Sequence, residues 1–413
     1  MKVFKQLIYT LVFITVVAGC TPNAISFNND DDKKKDKDKN NLLLLGLLVL
    51  SQDQAITMYT GSMNTSRAGM YRVRLNNGKA LVAGGFDSIA KPLYDAELYD
   101  PDTEKFSTVN VSADFNRSNI VLLSSGKILY FSNREINENT ISPGTFDPET
   151  NTITKTGDMI ISRVSCGAIL LKSGKVLVVG GLDSSGNILS SAELYDPDAG
   201  TFSSTGNMNV SRRQGNYVIS LILLEDGRVL VASGDGRNKD LSSGLDHVTT
   251  MELYDPETGT FTTIGLSSNY PAYSIGSNKV LCYGNSTSDG TNLVVYDVTT
   301  GEFSNTNQFL KYSGGSTKLN NGKILFVGGL SSDNKEVYSA LQIFDPDTLK
   351  VMNIGKMKEP RFGVGLTVLQ NGKVLIMGGT NKTGPRIVAP YSDDLTITMY
   401  EINALSTAEI YSP

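Results

Sequence analysis

Side chains of the kind that catalytic and metal sites require are scarce in this sequence of 413 residues. It contains one histidine, His247, so any site with two imidazole ligands is excluded. The aspartates near His247 do not follow the spacing of a calcium-binding loop. We therefore expect no metal ion, no cofactor and no catalytic constellation, and we place His247 in a solvated loop.

One cation recurs at a fixed place in a repeated phrase. The phrase Gly-x-Met-x-x-(Ser/Pro)-Arg ends in Arg67, Arg163, Arg212 and Arg361, and the corresponding place in two further units is held by Arg117 and Lys311. In one interpretation each cation pairs with an acid and braces neighbouring units; the candidate acids are Glu97, Glu193, Glu252 and Glu409. In the other, the cations form a ring at the mouth of a channel that attracts an anionic ligand, and the four arginines are ligand-binding residues.

The N-terminus has the pattern of an exported protein. Lys2 and Lys5 precede an apolar run from Leu7 to Ala18, which is too short for a transmembrane helix of roughly 20 residues. The run ends in Val17-Ala18-Gly19-Cys20, which resembles the lipobox of bacterial lipoproteins. The resemblance implies that residues 1–19 are a signal peptide, removed before Cys20, and that diacylglycerol modifies the Cys20 thiol. An ordinary signal peptide with a chance cysteine is the alternative.

The lipobox resemblance also implies a location. A lipidated Cys20 would anchor the chain to a membrane of the bacterial cell envelope. Thr21 follows this cysteine, whereas an aspartate there would resemble an inner-membrane retention signal. We therefore expect the outer membrane, on either its periplasmic or its outer side.

Residues 20–54 join the predicted anchor to the rest of the chain. Residues 30–39 are all aspartate or lysine, so this stretch cannot bury a core and is predicted to be a solvated tether. Residues 42–50 are apolar except for Gly46, but as a helix they would reach only about 14 Å, too short to cross a bilayer. This segment either packs on the globular domain or rests in the membrane surface beside the lipid.

From residue 55 onward the sequence repeats itself. The phrase Leu-x-x-Gly-Lys-Val-Leu-Val-x-Gly-Gly recurs at 75–85, 171–181, 319–329 and 369–379. A second phrase, an aromatic residue followed by Asp-Pro, comes later in most units, and an apolar residue stands seven positions after the aromatic residue. Seven units of roughly 50 residues fill 55–413.

These spacings indicate four short strands per unit, which we name a to d in chain order. Strand a follows the arginine, strand b is the Val-Leu-Val run, strand c holds the aromatic residue, and strand d starts at the later apolar residue. Strand b is apolar on both sides, so it should be covered on both faces. The repeats resemble kelch repeats, which form β-propellers. The resemblance implies an all-β, seven-bladed propeller.

The two ends of the repeat region complement each other. Residues 57–63 align without gaps on residues 202–208, which begin a strand d. The seventh unit stops at Pro413, where its own strand d would begin. We therefore predict that the N-terminal strand completes the last blade.

Up-and-down strands give the propeller two different ends. We call the end with the a–b and c–d turns the turn face, and the end with the b–c loops and d–a connections the b–c face. The b–c loops vary, and the last, residues 380–407, is 28 residues long, which is typical of functional loops. Residues 396–402 alternate like a strand and predict a protrusion. Tyr391 and Tyr400 in this loop are candidate ligand contacts, and the loop at 235–250 would form a second wall.

Two functional hypotheses follow from these patterns. The net charge of −5 argues against nucleic acid as a partner. Copper radical oxidases that resemble galactose oxidase use a similar propeller, but their site needs two histidines. The first hypothesis is a monomeric, lipid-anchored binding module that recognises a protein or glycan through its b–c face. The second is an envelope hydrolase or lyase that uses carboxylates and tyrosines near the channel mouth.

The lipid anchor can be tested directly. Replacing the acceptor thiol in Cys20→Ser should release the chain from the membrane fraction or stall its processing, because no other residue can take the diacylglycerol. Intact mass and membrane fractionation measure both outcomes. Normal membrane retention of the variant, with no difference in acyl mass from the parent, would contradict the prediction.

Overall fold

The structure is a computed structural model that describes residues 56–89, 91–109, 118–132, 142–214, 218–237, 245–266, 270–287, 290–310, 314–331, 336–382 and 403–413. Its regular elements are β-strands. Within these ranges, no helix is long and apolar enough to cross a membrane.

The strands are short and follow one another closely along the chain. They are β1 (Thr57–Tyr59), β2 (Tyr71–Arg74), β3 (Ala80–Ala83), β4 (Ala96–Asp100), β5 (Lys105–Val109), β6 (Ser118–Leu122), β7 (Ile128–Ser132), β8 (Gly144–Asp147), β9 (Thr152–Lys155), β10 (Gly167–Leu170), β11 (Val176–Val179), β12 (Ala192–Asp196), β13 (Thr201–Ser204), β14 (Ile219–Leu223), β15 (Val229–Ser233), β16 (Asp235–Arg237), β17 (Leu245–His247), β18 (Thr250–Asp255), β19 (Thr260–Leu266), β20 (Tyr270–Gly276), β21 (Lys279–Thr287), β22 (Gly290–Asp297), β23 (Glu302–Leu310), β24 (Gly315–Lys318), β25 (Ile324–Leu330), β26 (Val337–Asp345), β27 (Lys350–Lys356), β28 (Gly365–Val368), β29 (Val374–Met377) and β30 (Ala408–Tyr411).

In the described part of the chain these strands form seven four-stranded antiparallel blades. The blades, numbered in chain order, are β2-β3-β4-β5, β6-β7-β8-β9, β10-β11-β12-β13, β14-β15-β18-β19, β20-β21-β22-β23, β24-β25-β26-β27 and β28-β29-β30-β1. The small hairpin β16–β17 lies between the second and third strands of blade 4. The predicted all-β, seven-bladed propeller is confirmed.

The repeated phrases correspond to contacts inside each blade. Strand b is buried along its length, as Ala80–Ala83 shows, because neighbouring blades cover both of its sides. The aromatic residue of strand c lies directly opposite the residue seven positions later, which is on strand d. In blade 1 these residues are Tyr99 and Phe106, and their ring centroids are 4.9 Å apart. The spacing of seven is therefore the length of one c–d hairpin turn.

The turn face is built from two short motifs that contact each other. Gly78 has a φ of 84°, which glycine adopts without strain, and its N–H donates to the carbonyl of Leu75 to close the a–b turn. The adjacent Lys79 reaches Asp100 at the end of strand c, with Nζ and Oδ2 2.9 Å apart. Blades 3 and 6 repeat this ion pair, with Lys175–Asp196 at 3.0 Å and Lys323–Asp345 at 2.9 Å.

The N-terminal strand closes the ring as predicted. Strand β1 pairs antiparallel with β30, with Thr57 opposite Tyr411 and Tyr59 opposite Glu409. The Thr57 hydroxyl also donates to the Glu409 carboxylate. The two termini of the repeat region therefore share one sheet, and β1 covers the edge of β30 that would otherwise be unpaired.

A buried arginine links the blades at the b–c face, and Arg67 shows the arrangement. Its N–H donates to the Leu405 carbonyl at 3.1 Å, and its carbonyl accepts from the Gly379 N–H at 3.0 Å, both in blade 7. Its side chain lies in blade 1, where it donates to the Gly84 carbonyl at 3.0 Å and to Glu97 at 2.8 Å. One residue thus bonds two neighbouring blades.

The same pairing recurs at three other joints. The distances from guanidinium nitrogen to carboxylate oxygen are 2.6 Å for Arg163–Glu193, 2.8 Å for Arg212–Glu252 and 3.0 Å for Arg361–Glu409. Burial lowers the pKa of Arg212, and the charge and hydrogen bond of Glu252 oppose that effect. Arg212 therefore depends on Glu252 to remain charged in a low-dielectric position.

Close packing at these joints explains the double glycine. A Cβ atom added at Gly378 would lie 2.3 Å from the carbonyl oxygen of Arg67. At Gly180 it would lie 2.2 Å from the carbonyl oxygen of Arg212. No side chain fits between strand b and the arginine that enters the next blade, so the first glycine of the phrase is a steric requirement.

Ring closure can be tested by deletion. Removing residues 56–63 deletes strand β1 and the Thr57 contact with Glu409, so we expect a large drop in melting temperature and aggregation through the exposed edge of β30. A chain that begins at residue 42 keeps this strand and is the control. An unchanged melting temperature after the deletion of 56–63 would show that closure does not stabilise the ring.

The blade joint can be tested in blade 1. Arg67→Met leaves Glu97 buried without its cation and should lower the free energy of unfolding by about 3–5 kcal/mol. Lys79→Met, which breaks the exposed Lys79–Asp100 pair in the same blade, should lower it by at most about 1 kcal/mol. Urea unfolding of both variants measures the difference, and equal effects would contradict the structural role of the arginine.

Candidate functional site

The b–c face is built from hairpins that differ between blades. In blade 4 the loop predicted at 235–250 contains the hairpin β16–β17. In blades 5 and 6 strand structure extends into the b–c segments 285–292 and 330–340, because β21–β22 and β25–β26 continue their ladders past a register shift. In blades 4, 5 and 6 the b–c face is therefore built partly from strand hairpins.

The structure corrects the interpretation of the four arginines as a ligand-binding ring. Arg67, Arg163, Arg212 and Arg361 have at most 1% of their surface exposed. Their guanidinium groups face Glu97, Glu193, Glu252 and Glu409 and backbone carbonyls inside the blades, not the channel mouth. The geometry is that of the bracing alternative, and it leaves no side-chain surface of these arginines for an anionic ligand.

Several other predicted positions cannot be placed. Tyr391, Tyr400, the strand predicted at 396–402, Arg117, Lys311 and the lipidation site Cys20 lie outside the described residues. Of the long loop, the two ends are described: Thr380 to Lys382 at one, and Asn403 to Thr407 at the other. The bridges Phe362–Thr380 and Thr380–Ala404 hold these ends together at the edge of blade 7.

Blade 4 brings four polar side chains together at the b–c face. His247 Nε2 lies 2.8 Å from Ser233 Oγ. Asp235 stands directly opposite His247 in the β16–β17 ladder, and its carboxylate is 3.8 Å from the guanidinium of Arg213. Ser233, Asp235 and Arg213 are buried, with 3%, 1% and 8% of their surfaces exposed, whereas His247 is half-buried.

The environment of His247 favours its neutral form. Burial lowers the pKa of His247, as does the positive charge of Arg212, while the negative charge of Asp235 raises it. A neutral imidazole has one ring nitrogen that accepts a hydrogen bond, which suits the contact with the Ser233 hydroxyl. The expectation of a solvated loop histidine was therefore wrong. The sequence did carry one signal for this cluster, because Ser233 replaces the first glycine of the repeated phrase.

Two tyrosines meet at the seam between blades 5 and 6. The hydroxyl groups of Tyr273 and Tyr283 each lie 2.9 Å from Ser316 Oγ. Burial raises the pKa of both tyrosines, so both stay protonated near neutral pH. Their arrangement is that of a satisfied hydrogen-bond cluster near the inner strands.

The turn face carries a polar cleft between blades 2 and 3 with a volume of about 660 Å³. Its walls include Lys127, Lys172 and the Lys175–Asp196 ion pair. Since these residues belong to the motifs that recur in other blades, the cleft follows from the repeat.

Cysteine and metal chemistry find no support among the described residues. Cys166 and Cys282 are free and buried, and burial raises the pKa of each thiol to about 12. A thiol with this pKa is protonated and unreactive at neutral pH. No group of three or more histidine, cysteine, aspartate or glutamate side chains within the described ranges could hold a metal ion.

Comparison with known proteins agrees with the observed architecture. The Kelch motif matches residues 70–110 and 165–209, which contain all four strands of blade 1 and of blade 3. No curated protein sequence matches the chain. Among solved structures, a fungal alcohol oxidase of the AA5 family, in complex with copper, is similar with a TM-score of 0.58 and 18% identity, over 87% of this chain and 76% of that one. At this identity the likeness concerns the fold, and the chain is a seven-bladed β-propeller with kelch motifs.

Proposed function

We propose that the protein is a lipid-anchored interaction module of the bacterial cell envelope, which recognises a protein or glycan through its b–c face. This proposal is supported by a difference between the two ends of the propeller: one end is alike from blade to blade, and the other varies. On the turn face, Gly-Lys and Asp-Pro turns of similar length repeat from blade to blade. On the b–c face, hairpins of different length project from the blades.

The buried joints make this face suitable for recognition. Because Arg67, Arg212 and Arg361 fix the ends of the d–a connections and of the b–c loops, the loops between them can change without moving the blades. A rigid frame that presents variable loops lowers the entropy lost on binding. Kelch motifs in the chain agree with a role in protein interaction.

The anchor defines where recognition would take place. Diacylglycerol on Cys20 would hold the chain at the outer membrane, and the charged residues 30–39 would separate the propeller from the lipid surface. The propeller would then meet partners as a monomer on a tether.

The proposal can be tested by replacing the longest b–c loop. Exchanging 380–407 as a whole would remove the Leu405 and Thr407 carbonyls that accept hydrogen bonds from Arg67 and Arg361. The structure defines a smaller exchange: residues 381–403 replaced by Asp183–Asn187 of blade 3, because the bridge partners Thr380 and Ala404 correspond to Leu182 and Ile188.

Affinity capture from envelope or host extract should then lose a species that the parent protein retains, with the melting temperature unchanged within a few degrees. The control carries Asn77→Ser and Asn321→Ser on the turn face, where blade 3 already has Ser173. Loss of capture in the control alone would place recognition on the turn face, and collapse of the exchanged protein would make the loop structural.

A further inference from the structure

The repeat provides an internal comparison for the polar cluster in blade 4. At the b–c face, each of blades 1, 3, 4 and 7 has a row of three bridged positions, one on the incoming connection and two on the b–c loop. These rows are Ala68–Phe86–Pro92, Val164–Leu182–Ile188, Arg213–Asp235–His247 and Phe362–Thr380–Ala404. Blades 1 and 3 fill the row with apolar side chains, whereas blade 4 fills it with an arginine, an aspartate and the histidine.

A fourth substitution adjoins the same row. The first glycine of the repeated phrase has a φ of 63° in Gly84, 66° in Gly180, 59° in Gly328 and 57° in Gly378. In blade 4 this position is Ser233, which keeps the same φ of 63° although it carries a side chain. A serine in this left-handed region is strained, and such residues concentrate at functional sites.

These four departures from the repeat meet in one cluster, which is joined by a hydrogen bond and an ion pair. The chain's one histidine is placed by the hairpin β16–β17, so that Nε2 contacts Ser233 Oγ at 2.8 Å. The carboxylate of Asp235 is on the neighbouring strand of that hairpin and is paired with Arg213. Buried ionisable groups are unfavourable where an apolar row serves the fold equally well, so this unit requires a reason other than stability.

We propose that Ser233 and His247 form a catalytic pair that hydrolyses short-chain carboxylic esters, with Asp235 as the residue that positions the imidazole. A serine hydroxyl hydrogen-bonded to a neutral imidazole, with a carboxylate beside the ring, is the arrangement that activates a serine nucleophile. The low exposure of Ser233 favours a small acyl group that enters beside the half-buried His247.

The reaction is balanced without any cofactor. Ser233 Oγ bonds to the carbonyl carbon of the ester while its proton moves to His247 Nε2. The tetrahedral intermediate expels the alcohol, which takes that proton, and leaves an acyl group on Ser233. Water then adds to the acyl carbon and gives a proton to His247, and the carboxylic acid leaves as Ser233 regains its proton.

The experiment treats the full chain with a fluorophosphonate probe, which phosphonylates activated serines, and locates the adduct by intact mass and peptide mapping. We expect one adduct on Ser233 and release of acetate from p-nitrophenyl acetate. Ser233→Gly restores the glycine of the other blades, so it should fold normally and lose both signals. Ser165→Ala is the matched control and should keep both signals, because Ser165 is also buried at a positive φ of 55° on the b–c face but is not the proposed nucleophile.

The role of each partner has its own readout. His247→Gln should slow phosphonylation by about 100-fold, the usual effect of losing a general base, while the melting temperature is kept. Asp235→Asn should slow it, and Asp235→Glu should restore part of the rate, as expected of a positioning carboxylate. An unlabelled parent protein, or an adduct that persists in Ser233→Gly, would overturn the proposal. The probe experiment and the affinity capture are independent, because Ser233→Gly leaves the 380–407 loop intact. Absence of labelling at Ser233 would therefore overturn the esterase proposal and leave partner recognition through that loop untouched.

Discussion

The buried arginine–glutamate pair at the blade joints is the interaction on which the rest of the structure depends. Arg67 takes its backbone bonds in blade 7 and its side-chain bonds in blade 1, so the pair works across the seam between two sheets. Glu97 also accepts the N–H groups of Asn64 and Thr65 and thereby fixes the path of the connection. A charge buried at this depth is stable only while all of its partners stay in place, so each joint resists gradual deformation.

Ring closure depends on the same kind of arginine–glutamate pair, here Arg361 and Glu409. Glu409 accepts from Arg361 and from the N–H groups of Lys358 and Glu359, and the Thr57 hydroxyl of strand β1 contacts it as well. The strand that closes the ring is therefore bonded both to its neighbour in the sheet and to the acid of the last joint. The beginning and the end of the propeller are coupled through one carboxylate, which explains why a short three-residue strand is sufficient at this place.

The sequence was informative wherever the repeat controls structure. The register of three phrases predicted the strand order, the blade number and the pairing of β1 with β30, because each phrase reports a local turn or a pair of facing residues. Periodicity could not decide between the two interpretations of the arginines, since a buried and an exposed cation have the same spacing. It also misplaced His247, because only the hairpin β16–β17 brings that residue to Ser233 across fourteen positions of the chain. The longest loop has no counterpart in the repeat, so the repeat gives no basis for predicting the positions of Tyr391 and Tyr400.

The joints also show how blade 4, which has a serine at a glycine position, differs from the other blades. At Gly180, Gly328 and Gly378, a Cβ would lie within 2.3 Å of the carbonyl oxygen of an arginine on the following connection. The sequence that follows blade 4, Ser267-Ser268-Asn269, contains no arginine. The serine that contacts His247 thus stands in the one glycine position of blades 3, 4, 6 and 7 that is not followed by an arginine on the next connection. The arginine–glutamate pairs of blades 1, 3, 4 and 7 are all in place, so blade 4 departs from the repeat in its b–c row while its own joint keeps the repeated contacts.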